Sequence, residues 1–262
     1  MIPLKDDVPT RRLPVLTLAL IAINVAMFFL FQGAFLTSDA EFDDKVAEYG
    51  AIPYEIAHPG DACDLSGGRV ICEGEDGVSG EAPEDLAPTW LTLLTSMFMH
   101  GGLLHLGFNM LFLWIFGNNV EDSMGRARFA GFYLLGGLAA LGLQTVVDTS
   151  AAVPTIGASG AVAAVLGGYA VLYPRARVVT LIVIVFFVTV VQLPALLVLG
   201  VWILLQLAAG VADLTSPVGG EAGGVAYFAH IGGFVFGMLL IRMFANRVNE
   251  DYDRQGRIPV YR

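Results

Sequence analysis

The chain has 262 residues, of which 56% are hydrophobic and only 15% charged, and its mean hydropathy is +0.69. Soluble domains carry roughly 25% charged residues, so this composition excludes an ordinary soluble domain and predicts a polytopic membrane protein. The net charge is −10 at pH 7. Because nucleic-acid binding requires a basic patch, the charge balance also excludes a nucleic-acid partner.

Hydropathy predicts an all-α fold of six membrane-spanning helices, forming a single domain over residues 1–262. Each span needs about 20 largely apolar residues. Gln192 and Pro194 interrupt the longest apolar run, and proline removes a backbone donor, so Val178–Val191 is predicted to be an interfacial or partly inserted lead-in. The six predicted spans are Leu13–Gly33, Leu91–Gly117, Phe129–Val147, Ala161–Tyr173 with a glycine-rich lead-in from Ile156, Ala195–Val211, and Val225–Phe244.

The basic residues predict the orientation of these spans. If the N-terminus lies inside, every Lys and Arg except Lys45 and Arg69 falls in a cytoplasmic segment. The positive-inside rule therefore predicts that both polar tails, 1–12 and 248–262, are cytoplasmic. The short connecting loops favour the plasma membrane of a prokaryote. The sequence gives no basis for predicting an oligomeric state.

One long loop, 34–90, contains most of the acidic residues and both cysteines. Cys63 and Cys72 flank Ser66-Gly67-Gly68, a spacing that predicts a disulfide hairpin if the loop faces an oxidising compartment. The loop could contact the ectodomains of substrates. A solvated, disulfide-pinned loop is the favoured interpretation.

Polar side chains within the spans mark functional positions, because the bilayer interior disfavours them. Ser159 lies in Gly157-Ala158-Ser159-Gly160, just before the apolar run of the fourth span. A serine at that point begins a helix, beside free backbone amides and the positive end of the helix dipole, where an oxyanion would be stabilised. The alternative is an ordinary helix N-cap.

His230 lies in the last span beside a face of small residues, Ala229, Gly233 and Gly237, spaced four apart. Such a face allows another helix to approach closely. If that helix is the fourth, His230 could reach Ser159 and act as a general base. The alternative role of His230 is an interhelical hydrogen bond.

His105 and Asn109 are four residues apart and therefore share one helical face. Their ring and amide donors could stabilise an oxyanion, or they could join helices. His100, His105 and His230 could in principle bind zinc, but the spacing is poor for a helix and no His-Glu-x-x-His motif is present. We therefore predict neither a metal nor a cofactor.

These motifs together resemble those of the rhomboid family, the intramembrane serine proteases of the prokaryotic six-helix type, over Leu13 to Phe244. The resemblance implies that Ser159 is the nucleophile and His230 the base. It implies an oxyanion hole formed by Asn109, His105 and the Ser159 amide, and close helix packing at Gly157, Gly160, Gly233 and Gly237. With no acidic residue in any predicted span, the orientation of His230 is expected to come from packing alone.

The resemblance further implies an endopeptidase that cleaves membrane-protein substrates within the bilayer. Substrates would enter near the second and fifth helices, with a cap loop before the fifth in the region of Val178–Val191. Many family members have Trp-Arg where this chain has Trp90-Leu91. The alternative function is that of a catalytically silent relative that binds membrane clients, although such relatives typically lack the serine or the histidine.

Overall fold

The computed structural model describes residues 1–61, 63–66, 69–72, 87–184, 186–215 and 225–246. The strands in this part of the chain are β1 (Ile2–Asp6), β2 (Cys63–Ser66), β3 (Arg69–Cys72), β4 (Arg177–Ile184) and β5 (Phe187–Pro194). The helices are α1 (Val15–Ala26), α2 (Asp39–Tyr49), α3 (Pro53–Ala57), α4 (Thr89–Thr95), α5 (Leu103–Phe112), α6 (Asn118–Met124), α7 (Arg126–Val147), α8 (Ser159–Leu172), α9 (Ala195–Leu214) and α10 (Tyr227–Phe244).

Most of the chain is helical, and the helices are those of a membrane protein. Within the described residues, four helices are long and apolar enough to cross a bilayer: Leu103–Met124, Arg126–Val147, Ala195–Leu214 and Tyr227–Phe244. Shorter apolar helices lie at Val15–Phe31, Thr89–Phe98 and Ser159–Leu172. The predicted helical membrane fold is confirmed at this level.

The second predicted span, Leu91–Gly117, has the wrong boundaries. Its first part forms a separate short helix that ends at Phe98, and a new helix begins at Leu103 and continues past Gly117 to Met124. The Gln32 amide stabilises the break between these two helices. Its oxygen accepts from the His100 N–H at 2.9 Å, and its nitrogen donates to the His100 carbonyl at 3.0 Å. These bonds satisfy backbone groups that a continuous helix would otherwise pair.

Glu121 lies beyond Gly117, where the second predicted span ends, and it is buried in α6. Its carboxylate accepts from the backbone N–H groups of Leu16 at 3.0 Å and Thr17 at 2.7 Å, and from the Thr17 hydroxyl at 2.7 Å. The first turn of any helix has unpaired N–H groups. Glu121 therefore caps α1 from a neighbouring helix.

The segment Val178–Val191 forms most of an antiparallel hairpin. Strand β4 pairs with β5 on one side and with the N-terminal strand β1 on the other, giving the order β1-β4-β5. Its run of Val, Ile and Thr residues suits a pleated surface better than a helix. The N-terminal tail 1–12 thus contains a strand.

This hairpin does not belong to the region of Ser159, so its predicted role in a cap or substrate entrance is wrong. Ser159 begins α8, whereas the hairpin follows the other end of the same helix. Helix α8 has 14 residues, so its two ends are about 21 Å apart.

Helix α8 forms the centre of the bundle, and nearly all of its residues are buried. Gly233 and Gly237 of α10 lie directly against the carbonyl oxygens of Gly160 and Ala164. Gly160 faces α7, where an added Cβ would lie 2.5 Å from the Ala140 side chain. Small residues therefore bring α7 and α10 against α8, so that the side chains at its start and those of α10 lie within hydrogen-bond reach.

Candidate active site

Ser159 is the first residue of α8, and it follows a tight turn at Gly157. Gly157 has a φ of +127°, a conformation that side chains other than glycine rarely adopt. Its N–H donates to the Ser96 carbonyl at 2.8 Å, which ties the turn to the helical segment that ends at Phe98. Gly157 therefore shapes the turn before Ser159.

His230 lies beside Ser159, as the sequence predicted from the small face of α10. The distance between His230 Nε2 and Ser159 Oγ is 2.8 Å. Both side chains are only partly buried. The close contact of Gly233 with the Gly160 backbone sets the separation of the two helices that carry this pair.

The second ring nitrogen of His230 also has a partner. Nδ1 is 2.8 Å from Oε1 of Gln206, which lies in α9. One residue before His230, the backbone N–H of Ala229 donates to Oε1 of Gln144 from α7 at 3.1 Å. The expectation that packing alone orients His230 is therefore wrong.

Sequence reasoning gave these glutamines no role. Gln206 is recognisable in the sequence as a polar residue in an apolar span, but the sequence does not reveal its contact with His230. Neither Gln144 nor Gln32 was identified from the sequence. The usable signal was an uncharged amide within an apolar helix, which normally pairs with another helix.

His105 lies over the turn that precedes Ser159. An added Cβ on Gly157 would lie 2.9 Å from both Nε2 and Cε1 of the His105 ring. The N–H of Gly101 donates to His105 Nδ1 at 3.3 Å. A neutral ring that accepts at Nδ1 carries its proton on Nε2, so His105 presents an N–H donor toward the turn.

Asn109 lies one helical turn beyond His105 and is buried. Its Nδ2 donates to the His105 carbonyl at 2.9 Å, which fixes the amide on the same face as the His105 ring. An asparagine amide has two N–H groups, so a second donor remains after this bond. His100, also buried, packs the edge of its ring against His105 with 5.1 Å between centroids.

The acidic loop supports the segment before Ser159. The backbones of Ala51 and Thr155 pair through two hydrogen bonds of 2.8 and 3.2 Å, and the N–H of Tyr54 donates to the Ala151 carbonyl at 3.1 Å. Cys63 and Cys72 are joined in a disulfide, which is buried beside Ile52, Tyr54, Val70 and Ala152. The described part of the loop is therefore packed onto the bundle.

Glu55 of α3 lies in the same part of the loop. Its Oε1 is 3.4 Å from the backbone N–H of Cys63. Burial raises the pKa of the Glu55 carboxyl, while the Cys63 N–H lowers it by a smaller amount. This carboxyl therefore accepts a hydrogen bond from the disulfide hairpin.

The site combines the Ser159 hydroxyl and the adjacent His230 imidazole with several hydrogen-bond donors on one side. The N–H of Ser159 is one of the first-turn amides of α8 that have no acceptor within the helix. Nε2–H of His105 points to the same turn. Such a set of groups can activate an oxygen nucleophile and stabilise a negatively charged oxygen next to it.

A family model, the Rhomboid domain, matches residues 87–247, which is more than half of the chain. The chain belongs to the rhomboid family. The match begins just before α4 and ends just after α10, so it includes all the helices that contribute to the site. Recognition of this family from the sequence is therefore confirmed.

The chain is also similar to individual rhomboid proteins. It is 29% identical to mitochondrial rhomboid protein 1 of Saccharomyces cerevisiae over 60% of this chain and 42% of that protein. It is 29% identical to the rhomboid protease GluP of Bacillus subtilis over 59% of this chain and 24% of GluP. It is 33% identical to RHOMBOID-like protein 4 of Arabidopsis thaliana over 56% of this chain and 32% of that protein. The chain thus matches less than half the length of each relative.

Proposed function

We propose that this rhomboid protein is an intramembrane serine endopeptidase that cleaves membrane-protein substrates with Ser159 and His230. One observation carries the proposal: His230 Nε2 lies 2.8 Å from Ser159 Oγ, at the N-terminal end of a helix. Membership of a family of intramembrane serine proteases and similarity to the protease GluP support it.

In the proposed reaction, Ser159 Oγ attacks the carbonyl carbon of a peptide bond while its proton passes to His230 Nε2. The carbonyl oxygen becomes an oxyanion that accepts from the Ser159 N–H, His105 Nε2–H and the Asn109 amide. When the C–N bond breaks, the leaving amine takes the proton from His230. A water molecule then donates a proton to His230 and attacks the acyl-enzyme, and Ser159 Oγ leaves with the proton from His230.

We propose a membrane arrangement of six spans for the same protein. The helix Val15–Phe31 and the buried helix α8 join the four longer helices, and both are shorter than a full span. Because α8 is enclosed by its neighbours, its ends can lie below the membrane surface, where protein groups satisfy its backbone. The basic segments support a cytoplasmic position for both termini, and we propose the plasma membrane of a prokaryotic cell as the location.

Cleavage of a single-span substrate in liposomes tests the proposal. The substrate carries small, helix-breaking residues near its outer end, and the purified wild-type protein is compared with Ser159→Ala and His230→Ala. We expect cleavage by the wild type alone, with both variants remaining folded. Equal cleavage by the wild type and Ser159→Ala would exclude Ser159 as the nucleophile.

A serine-reactive probe separates the proposed enzyme from a silent relative. Phosphonate labelling of the wild type, but not of Ser159→Ala, is expected if Ser159 is activated, whatever the natural substrate is. Absence of both labelling and cleavage in a folded protein would contradict the proposal and favour a membrane-client binding protein.

A further inference from the structure

His230 is held at both ring nitrogens, and the two partners come from different helices. Nε2 faces Ser159 on α8, and Nδ1 faces Gln206 on α9, each at 2.8 Å. The catalytic pair of the proposed function uses only the first of these contacts.

The chemistry of an amide determines what Gln206 does to the ring. Its Oε1 has lone pairs and no hydrogen, so a hydrogen bond to Nδ1 requires a proton on Nδ1. In a neutral imidazole, Nε2 is then the acceptor. This is the tautomer that can receive the proton of the Ser159 hydroxyl.

The orientation of the Gln206 amide is itself fixed. Its Nε2 lies 3.4 Å from the Trp202 carbonyl, one turn earlier in α9, so the nitrogen faces the helix backbone and the oxygen faces His230. The indole of Trp202 lies beside the imidazole, with 5.7 Å between ring centroids and 39° between planes. Hydrogen bonding sets the tautomer, and the ring contact limits rotation.

We propose that Gln206 is a positioning residue that holds His230 in the Nδ1-protonated tautomer, in the place where many serine proteases have a carboxylate. This inference rests on the proposed function, because the base matters only if Ser159 is a nucleophile. A neutral amide fixes the tautomer without adding a charge to the bilayer interior, where an acidic side chain would be costly. It does not stabilise the imidazolium as a carboxylate would.

Gln144 provides a matched control for this role. It also joins α10 to another helix through its Oε1, but its donor is the backbone N–H of Ala229 and not the ring of His230. Loss of a purely structural hydrogen bond should therefore have similar consequences at both glutamines. Loss of tautomer control should appear only at Gln206.

The kinetic test compares Gln206→Leu, Gln206→Glu and Gln144→Leu in liposomes with the single-span substrate. We expect Gln206→Leu to lower kcat between about 10- and 100-fold with KM within twofold, a smaller loss than the whole contribution of a general base. Gln206→Glu retains an acceptor and should recover most of the rate. In this variant, the fall of kcat at low pH should begin at a higher pH, because a carboxylate beside Nδ1 stabilises the imidazolium.

Gln144→Leu should reduce the unfolding midpoint and leave kcat within a few-fold of the wild type. The positioning role would be overturned if Gln206→Leu and Gln144→Leu lowered kcat equally, or if Gln206→Leu left both kcat and the pH profile unchanged.

A spectroscopic measurement separates this inference from the proposed activity. The chain has four histidines, so nitrogen-15 NMR of histidine-labelled protein can be assigned by comparison with His230→Asn. We expect a protonated Nδ1 and an unprotonated Nε2 for His230 in the wild type, and loss of this preference in Gln206→Leu. A wild-type His230 protonated at Nε2 would overturn the inference even in an active enzyme, whereas the expected tautomer in an inactive protein would overturn only the proposed function.

Discussion

Two polar clusters lie toward opposite ends of α8, and they use their hydrogen-bonding groups differently. The Ser159 cluster consists of Ser159, His230, Gln206 and His105. The Asp6 cluster consists of Asp6, Asn119, Tyr169 and Tyr173. Oδ2 of Asp6 accepts from Asn119 at 2.6 Å and from Tyr169 at 2.7 Å. The Tyr173 hydroxyl donates to the Asn119 carbonyl at 3.2 Å.

The two clusters differ in the hydrogen-bonding groups that remain available to a substrate. In the Asp6 cluster, and at the neighbouring carboxylate of Glu121, the polar atoms pair with other parts of the chain and join β1 and α1 to the helices. In the Ser159 cluster, the Ser159 N–H has no acceptor within α8, and Nε2 of His105 lies over the turn before a partly exposed serine. A buried polar group in a membrane protein is thus not by itself a sign of catalysis. We expect rate losses at one end of α8 and stability losses at the other.

The largest effect is expected at Asn109, next to the Ser159 cluster. Asn109→Ala should lower kcat by up to about 10²–10³ if its amide is a main oxyanion donor, while KM and the unfolding midpoint change little. Kinetics with the single-span substrate and thermal unfolding in detergent measure the two quantities. An unchanged rate would mean that the Ser159 amide and His105 suffice.

Substitution of Glu121 should have the opposite effect, lowering stability and changing the rate little. Glu121→Gln replaces a carboxylate that accepts three hydrogen bonds from Leu16 and Thr17 with a group that has one oxygen acceptor, so we expect a loss of about 1–3 kcal/mol in the free energy of unfolding. Specific activity of the folded fraction should remain within twofold. Asp122→Asn is the matched control, because Asp122 makes an exposed bond of 3.1 Å to the Arg11 N–H. A larger loss for Asp122→Asn would contradict the capping role of Glu121.

The smallest effect concerns pH and the Asp6 cluster. Burial raises the pKa of the Asp6 carboxyl from 3.8 to about 7, although the Tyr169 hydrogen bond opposes this shift. The folded state therefore keeps a proton that the unfolded chain has already lost. The contribution of Asp6 to stability is complete below about pH 4 and disappears as the pH rises through about 7.

Asp6→Asn tests this sign, because the amide oxygen can still accept from Tyr169 but does not titrate. We expect the unfolding midpoint of the wild type to fall more steeply than that of Asp6→Asn between pH 4 and about 7, and the two slopes to agree above that range. Parallel profiles throughout would show that the carboxylate of Asp6 is not desolvated.

The sequence was sufficient for the features that depend on composition and local pattern. Apolar runs located most of the helices, because a segment without charges suits hydrocarbon whatever its neighbours are. The glycine turn before Ser159 and the small face beside His230 predicted a serine at a helix start and a closely packed partner helix. These local patterns made Ser159 and His230 candidates, and the resemblance to the rhomboid family joined them as a pair, which the structure places 2.8 Å apart.

Only the tertiary structure decided the features that depend on distant partners. Gln32 interrupts the second predicted span at His100, 68 residues away, and β1 pairs with β4 across most of the chain. Gln206 reaches His230 from a different helix. Hydropathy records how much each residue favours lipid, but a hydrogen bond depends on where two groups meet, and that position is set by the packing of the whole bundle around α8.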